Sequence, residues 1–233
     1  MIPLYVLCYQ NAKWLRHTVS EMQRTKVEGR VNIWDDGSTD PDMLEAIDEV
    51  DATAPFFFAH RNPHLGYREQ FIAIGEHAAI GTNLWHTSDY YCYIEDDVQF
   101  SVNWLAYAEK KLKELLAAGY PVGVLALYTG HAHVKKQVLP HVYEHHGEHF
   151  YGTCGLIINT AFVPELAKAI RGNLNCDIAI RELLSTHEHP QWKLYGIIPT
   201  LMQHLGKDTR LNAPFHQSSF VLSPESDALK VML

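Results

Sequence analysis

Long basic stretches, paired cysteines, apolar runs of spanning length and internal repeats are all missing from this 233-residue chain. Its 19 lysines and arginines are scattered among 27 acids, giving a formal net charge of −8, so no stripe of bases suggests a polyanion groove. Bulk nucleic-acid binding is therefore not expected. The four cysteines, Cys8, Cys92, Cys154 and Cys176, are far apart and form no C-x-x-C pair. Three of them sit in apolar runs, where a reduced thiol behaves as a small hydrophobe, so a reducing, cytoplasmic setting is expected. The opening "MIPLYVLCYQN" has no basic leader, and its apolar run is too short for a signal peptide or a spanning helix. It reads as a first core strand, and no transmembrane segment is expected. No G-x-G-x-x-G follows that strand, which disfavours a dinucleotide-binding dehydrogenase.

What is present is enough apolar material, 47% of residues, to bury a sizeable core. Strand-length apolar runs alternate with segments of helical period, the pattern of an α/β domain with a mainly parallel central sheet flanked by helices. Strands are expected at Ile2 to Cys8, "RVNIW", "APFFFAH", "DYYCYI", "PVGVLAL", "GTCGLIIN" and "WKLYGII". After the first strand, Asn11 stands where a helix N-cap would, and Leu15, Val19 and Met22 follow at helical spacing. Ser101 is the expected N-cap of a helix whose Leu105, Ala108, Leu112 and Leu115 form a stripe, closed by Gly119. No linker interrupts the chain, so residues 1–233 read as a single domain with an irregular C-terminal tail. Fifteen histidines stand out, several of them in "HAHVKKQVLPHVYEHHGEHF" (131–150). That tract reads as a polar surface segment or a metal site, with spacings that match no familiar zinc signature.

In an open parallel sheet, ligands bind at the carboxyl ends of the strands. Two acidic turns, "WDDGSTD" and "YIEDDVQ", lie at such ends about sixty residues apart and can face one another across one cleft. In the second, Glu95, Asp96 and Asp97 follow directly on an apolar strand. Three adjacent like charges are costly there unless a cation joins them or they diverge into water. Alternation along an extended segment sends Glu95 and Asp97 to one side and Asp96 to the other. Hard carboxylate oxygens suit Mg²⁺ or Mn²⁺, whose open positions take substrate phosphates.

The stretches "LYVLCYQNAKWL", "IWDDGSTD", "RNPHLGYREQF" and "YCYIEDDVQF" together resemble the nucleotide-sugar-dependent glycosyltransferases of the GT-A fold, a Rossmann-like architecture, family 2 in particular. The resemblance covers about the first 110 residues in order and spacing. It implies a nucleotide-sugar-binding half at 1–110, and an acceptor-binding half with a C-terminal lid at 111–233. It implies a nucleotide-sugar donor, with UDP as the expected carrier, and transfer to an acceptor hydroxyl with inversion. By the same resemblance Tyr9 and Asn11 lie beneath the base, and Asp35 or Asp36, preferably Asp36, binds base or ribose. An Asx-turn is the alternative role for that acidic pair. Asn62, Gly66 and Arg68 match a loop near base and phosphates, although a plain surface loop would read the same way. Glu95, Asp96 and Asp97 correspond to the D-x-D element, with Asp97 the direct metal ligand and Glu95 and Asp96 toward the donor.

Metal-dependent relatives often add a late histidine, which matches His204 in "LMQHLGKDT", and Lys207 and Arg210 beyond it could close over the diphosphate. The general base corresponds to Asp177, where the positive end of a helix favours a carboxylate, with Glu182 as fallback and a plain helix cap as the alternative. Tyr151, Gly152 and Thr153 would run beneath the transferred sugar. The acceptor, expected against the His-rich and aromatic segment 128–150, is a glycan, a protein, a small molecule or a modified nucleobase. A related nucleotidyltransferase is the nearest rival, but "CYQNAKW" lacks its Gly-rich basic loop. The other rival is a non-catalytic sugar- or metal-binding module.

Overall fold

The computed structural model describes residues 1–53, 56–84, 88–129, 133–145, 150, 152–185 and 189–205. Lys207, Arg210, Tyr151 and, within the His-rich tract, residues 131, 132 and 146–149 lie outside the described residues.

The first half is built of β1 (Leu4–Cys8), α1 (Ala12–Arg24), β2 (Val31–Asp35), α2 (Pro41–Thr53), β3 (Phe57–Arg61), α3 (Tyr67–Leu84), β4 (Tyr90–Glu95) and the short β5 (Val98–Phe100). The second holds α4 (Trp104–Ala117), β6 (Val122–Ala126), β7 (Val134–Leu139), β8 (Val142–His145), β9 (Gly155–Asn159), α5 (Val163–Arg171), α6 (Cys176–Ser185), β10 (Lys193–Ile197) and β11 (Met202–His204). Among the described residues, nine strands form one sheet in the order β3-β2-β1-β4-β9-β6-β10-β8-β7, and β11 pairs with β5 in a second, two-stranded sheet. Only β9 and β8 run against the other strands of the large sheet, so the expected mainly parallel arrangement holds. Insertion of β9 between β4 and β6 makes the two halves of the chain share that sheet.

Strands buried on both faces are apolar throughout, which is why β1, β4 and β6 read so plainly in the sequence. Their alternation feeds two cores. Leu4, Val6, Cys92 and Ile94 pack with α1, α2 and α4, whereas Tyr5, Leu7, Tyr91 and Tyr93 pack with α3, α5 and α6. The α4 stripe of Leu105, Ala108, Leu112 and Leu115 is buried as its spacing predicts, and Gly119 follows the helix in the left-handed region (φ +77°). The N-cap differs from expectation. Ser101 gives its carbonyl to the Trp104 N–H, and Asn103 (φ 59°) is the capping residue, because pairing of the Ser101 N–H with the Leu201 carbonyl keeps Ser101 in the preceding strand path. Within the segment expected to be irregular, Met202–His204 forms β11, antiparallel to β5, with His204 opposite Val98, and residues beyond 205 lie outside the described residues.

Candidate functional site

Parallel pairing sets the ends of β2, β1 and β4 side by side: Cys8 lies opposite Asp35, and Leu7 opposite Glu95. Both acidic turns therefore emerge at one edge of the sheet. Glu95 continues the Tyr91–Tyr93 face, and Asp96 leaves toward α1, where its carbonyl accepts the Thr18 hydroxyl (2.7 Å). The Asp96 carboxylate meets the backbone N–H of Tyr9.

Pairing of β11 with β5 carries His204 to the same place, and the Leu205 N–H on the Asp97 carbonyl (2.8 Å) fixes the register. His204 Nε2 lies 2.9 Å from Asp97 Oδ2 and 3.9 Å from Glu95 Oε2. Glu95, Asp97 and His204 thus offer two carboxylates and an imidazole, with ligand atoms within 4.8 Å of one another. This is the convergence expected for Asp97 and His204, with Glu95 added as a third member. Asp97 Oδ1 and Asp96 Oδ2 are buried and have no hydrogen-bond partner among the described residues. Burial, and then the charge of Asp97, push the Glu95 carboxyl above its ordinary value. Burial, then Asp97 and Glu95, push Asp96 well above its own. The hydrogen bond to Asp97 raises His204. Two hard oxygens, a ring nitrogen and orphaned buried acceptors fit a divalent cation such as Mn²⁺ or Mg²⁺.

Glu95 is itself held. Its Oε1 accepts the Thr153 hydroxyl at 2.8 Å and lies 3.3 Å from the Tyr67 hydroxyl, and those two hydroxyls also bond to each other. Burial and the charge of Glu95 keep the Tyr67 phenol well above its ordinary value, so it retains its proton.

On the Asp36 side, both acids are buried and engaged. The Asp35 carboxylate accepts the Ser38 N–H (3.1 and 3.3 Å), the Asx-turn alternative for that residue. The Asp36 carboxylate accepts from the Leu65 N–H (2.8 Å), the Gly66 N–H (3.2 and 3.3 Å) and Gln70 Nε2 (2.7 Å), and His64 Nδ1 lies 3.0 Å away. The two loops meet at Gly37 (φ +71°), where a Cβ would stand 2.4 Å from the His64 nitrogen. Asn62 ties them as well, donating through Nδ2 to the Asp35 and His60 carbonyls (3.2 and 3.1 Å). Tyr9, 42% exposed, stacks on His64 with ring centroids 4.7 Å apart and planes 15° from parallel. Asn11 caps α1 through the Trp14 N–H (3.3 Å).

Arg68 lies elsewhere. Its guanidinium donates to the Ile170 carbonyl (2.9 Å) and to Asn173 Oδ1 (3.3 Å) at the end of α5, and so braces the turn that leads into α6. Asp177 sits in the first turn of α6 and accepts the Ile178 N–H (2.9 Å). Burial above all, and then the charges of Asp177 and Glu95, push the neighbouring Cys176 thiol up to about 12, while Arg68 opposes them. Glu182 is exposed farther along that helix.

His64, Tyr67 and the grip of Thr153 on Glu95 escape sequence reasoning. His64 and Tyr67 stand inside "RNPHLGYREQF", where aromatic and imidazole groups beside a glycine were the available signal. Thr153 is expected beneath the transferred sugar, but its bond to Glu95 has no local signal, because the two are remote in the chain.

No family model matches the sequence, and no curated protein matches it. Solved structures do. Over 86% of this chain and 36% of the other, TarS of S. aureus superposes with a TM-score of 0.56 at 11% identity. TarS 1-349 in complex with UDP-GlcNAc matches over 87% of this chain and 58% of that one (TM-score 0.57, 12% identity). The mannosyltransferase PcManGT from Pyrobaculum calidifontis, in complex with GDP-Man and Mn²⁺, matches over 85% and 54% (TM-score 0.54, 13% identity). This chain thus spans 36% to 58% of the lengths of these proteins. No helix among the described residues is long and apolar enough to cross a membrane. With its central sheet and flanking helices in agreement with theirs, the chain shares the α/β fold of these solved glycosyltransferase structures.

Proposed function

We propose that this chain is a metal-dependent glycosyltransferase that moves a sugar from a nucleotide-sugar donor, with UDP the first carrier to test, to an acceptor hydroxyl with inversion. The observation that carries the reading is the meeting of Glu95, Asp97 and His204 at the carboxyl ends of the strands, with β1 between them and the Asp36 turn. Asp97 and His204, with Glu95, would hold Mn²⁺ or Mg²⁺. Bound there, the cation supplies counter-charge for a departing diphosphate.

The chain's own groups carry the rest. Tyr9, stacked on His64 and open on its outer side, offers a flat face for the base. Asp36 holds the 62–66 loop in place beside it, and Asp96, directed toward Tyr9, is set to meet ribose or sugar hydroxyls. Asp177, in the first turn of α6, is assigned the proton of the acceptor hydroxyl. The hydrogen bonds of Arg68 to the Ile170 carbonyl and Asn173 support a bracing role for it in place of a pyrophosphate contact. Lys207 and Arg210 are assigned to the diphosphate on sequence grounds. A cytoplasmic setting is proposed from the cysteine usage.

The test is a melting-temperature panel of UDP-GlcNAc, other UDP-sugars and GDP-Man, each with Mn²⁺, Mg²⁺ or EDTA, on wild type and Asp97→Ala. A ligand bound only by the folded state raises the melting point. The expected result is a rise that needs both a metal and one nucleotide class and is lost in Asp97→Ala. Equal shifts in EDTA or in the variant would remove the reading.

A further inference from the structure

A carboxylate at the end of a glutamate has no strong preference about its last torsion, so nothing in Glu95 itself decides which oxygen faces His204. The surroundings decide. Thr153 and Tyr67 both address Oε1, which leaves Oε2 as the oxygen turned toward His204. The two hydroxyls come from different parts of the chain. Thr153, 5% exposed, follows Gly152 (φ +98°) on the approach to β9. Tyr67 is the first residue of α3, immediately after Gly66, whose N–H is held by Asp36. Tyr67 as a residue is 40% exposed, yet its hydroxyl reaches Glu95 and Thr153.

We propose that Tyr67 and Thr153 are positioning residues that lock one oxygen of Glu95, so that the other completes a cation site with Asp97 and His204. The inference rests on the reading of that cluster as a divalent-cation site. It makes the site a product of the α3 and β9 approaches as well as of the acidic triplet. It also ties the cation's ligand to the loop on the nucleotide side, because Tyr67 takes its place from the Asp36 grip on Leu65 and Gly66.

Partners that orient a ligand typically contribute about 10–100-fold to metal affinity. Titration of Mn²⁺ by electron paramagnetic resonance, with no nucleotide present, is the direct measurement. Tyr67→Phe and Thr153→Val should each weaken Mn²⁺ binding within that range. The double variant should lose much less than the product of the two losses, because both hydroxyls serve one oxygen. Thr153→Ser, which keeps the hydroxyl, should bind as wild type does. Wild-type affinity in Tyr67→Phe and Thr153→Val, with binding abolished in Asp97→Asn, would overturn this inference alone. Equal weakening in Thr153→Ser and Thr153→Val would also overturn it, since side-chain shape and not the hydroxyl would then matter. A wild-type chain that takes up no Mn²⁺ would overturn it together with the proposed function. Should Thr153→Val fail to fold, Tyr67→Phe decides by the same criteria.

Discussion

Glu95, Asp96 and His204 all hold their protons more tightly than they would in an unfolded chain, the two acids chiefly through burial and the imidazole through Asp97. The sign follows for each. A carboxylate with a raised pKa destabilises the fold once it is ionised, so its effect grows as pH rises through the folded value. A histidine with a raised pKa stabilises the fold below its unfolded value and loses that contribution as pH rises through the folded one. Both act in the same direction. With EDTA present, this site should lower the melting temperature as pH rises from about 5 to about 8, the interval above ordinary carboxylate values that spans imidazole titration. Saturating Mn²⁺ should cancel that slope, and its affinity should rise with pH as it displaces protons. A metal-induced shift independent of pH would contradict the reading. Asp36 makes a separate prediction at this scale. Its buried carboxylate serves two backbone donors and Gln70, so Asp36→Ala strands them at about 1–3 kcal/mol for each one left unpaired. Urea unfolding without any ligand should show that loss, whereas a residue acting only on the donor would leave stability unchanged.

Among the elements, β11 is the one on which the site depends most and which the sequence shows least. A three-residue strand has no period to read, and its partner β5 is just as short and far away in the chain. What seats it is Met202, fully buried, whose Sδ occupies the space a Cβ on Gly155 would need, 2.2 Å from that position. Gly155→Val should therefore force Met202 and its strand outward. Overpacking of this kind costs about 1–3 kcal/mol, and the displacement of His204 should weaken Mn²⁺ binding beyond what the stability loss explains. Mn²⁺ titration beside urea unfolding separates the two, and unchanged Mn²⁺ affinity would show that β11 is not seated this way. Longer elements were legible because their patterns repeat. The stripe of α4 spans about three turns, β1 and β6 are continuous apolar runs, and β4 is one up to Glu95. By contrast β7 sets exposed Lys135, Lys136 and Gln137 between Val134 and the partly buried Val138 and Leu139, a pattern with neither strand alternation nor a full apolar run.

For the molecule as a whole, the sheet buries all four cysteines as free thiols, and burial raises the pKa of each. A buried thiol seldom ionises and so reacts slowly. Ellman's reagent should accordingly find no rapidly reacting thiol in the native protein and all four in urea, and a fast native thiol would show that one of these core positions opens. The sequence by itself determined the alternation of strands and helices, the two acidic turns at strand ends and the residue types suited to a divalent cation, because these follow from local period and local charge. It also marked His204 and Asp177, through resemblance to a family and not through any local physical signal. Only the tertiary structure decided that Glu95 joins Asp97 and His204, that Asp35 and Asp36 spend their carboxylates on the loops, that Arg68 braces α5, and that Thr153 and Tyr67 hold Glu95. Those outcomes depend on strand order and on pairings between segments distant in the chain, and neither is encoded in the spacing of neighbouring residues.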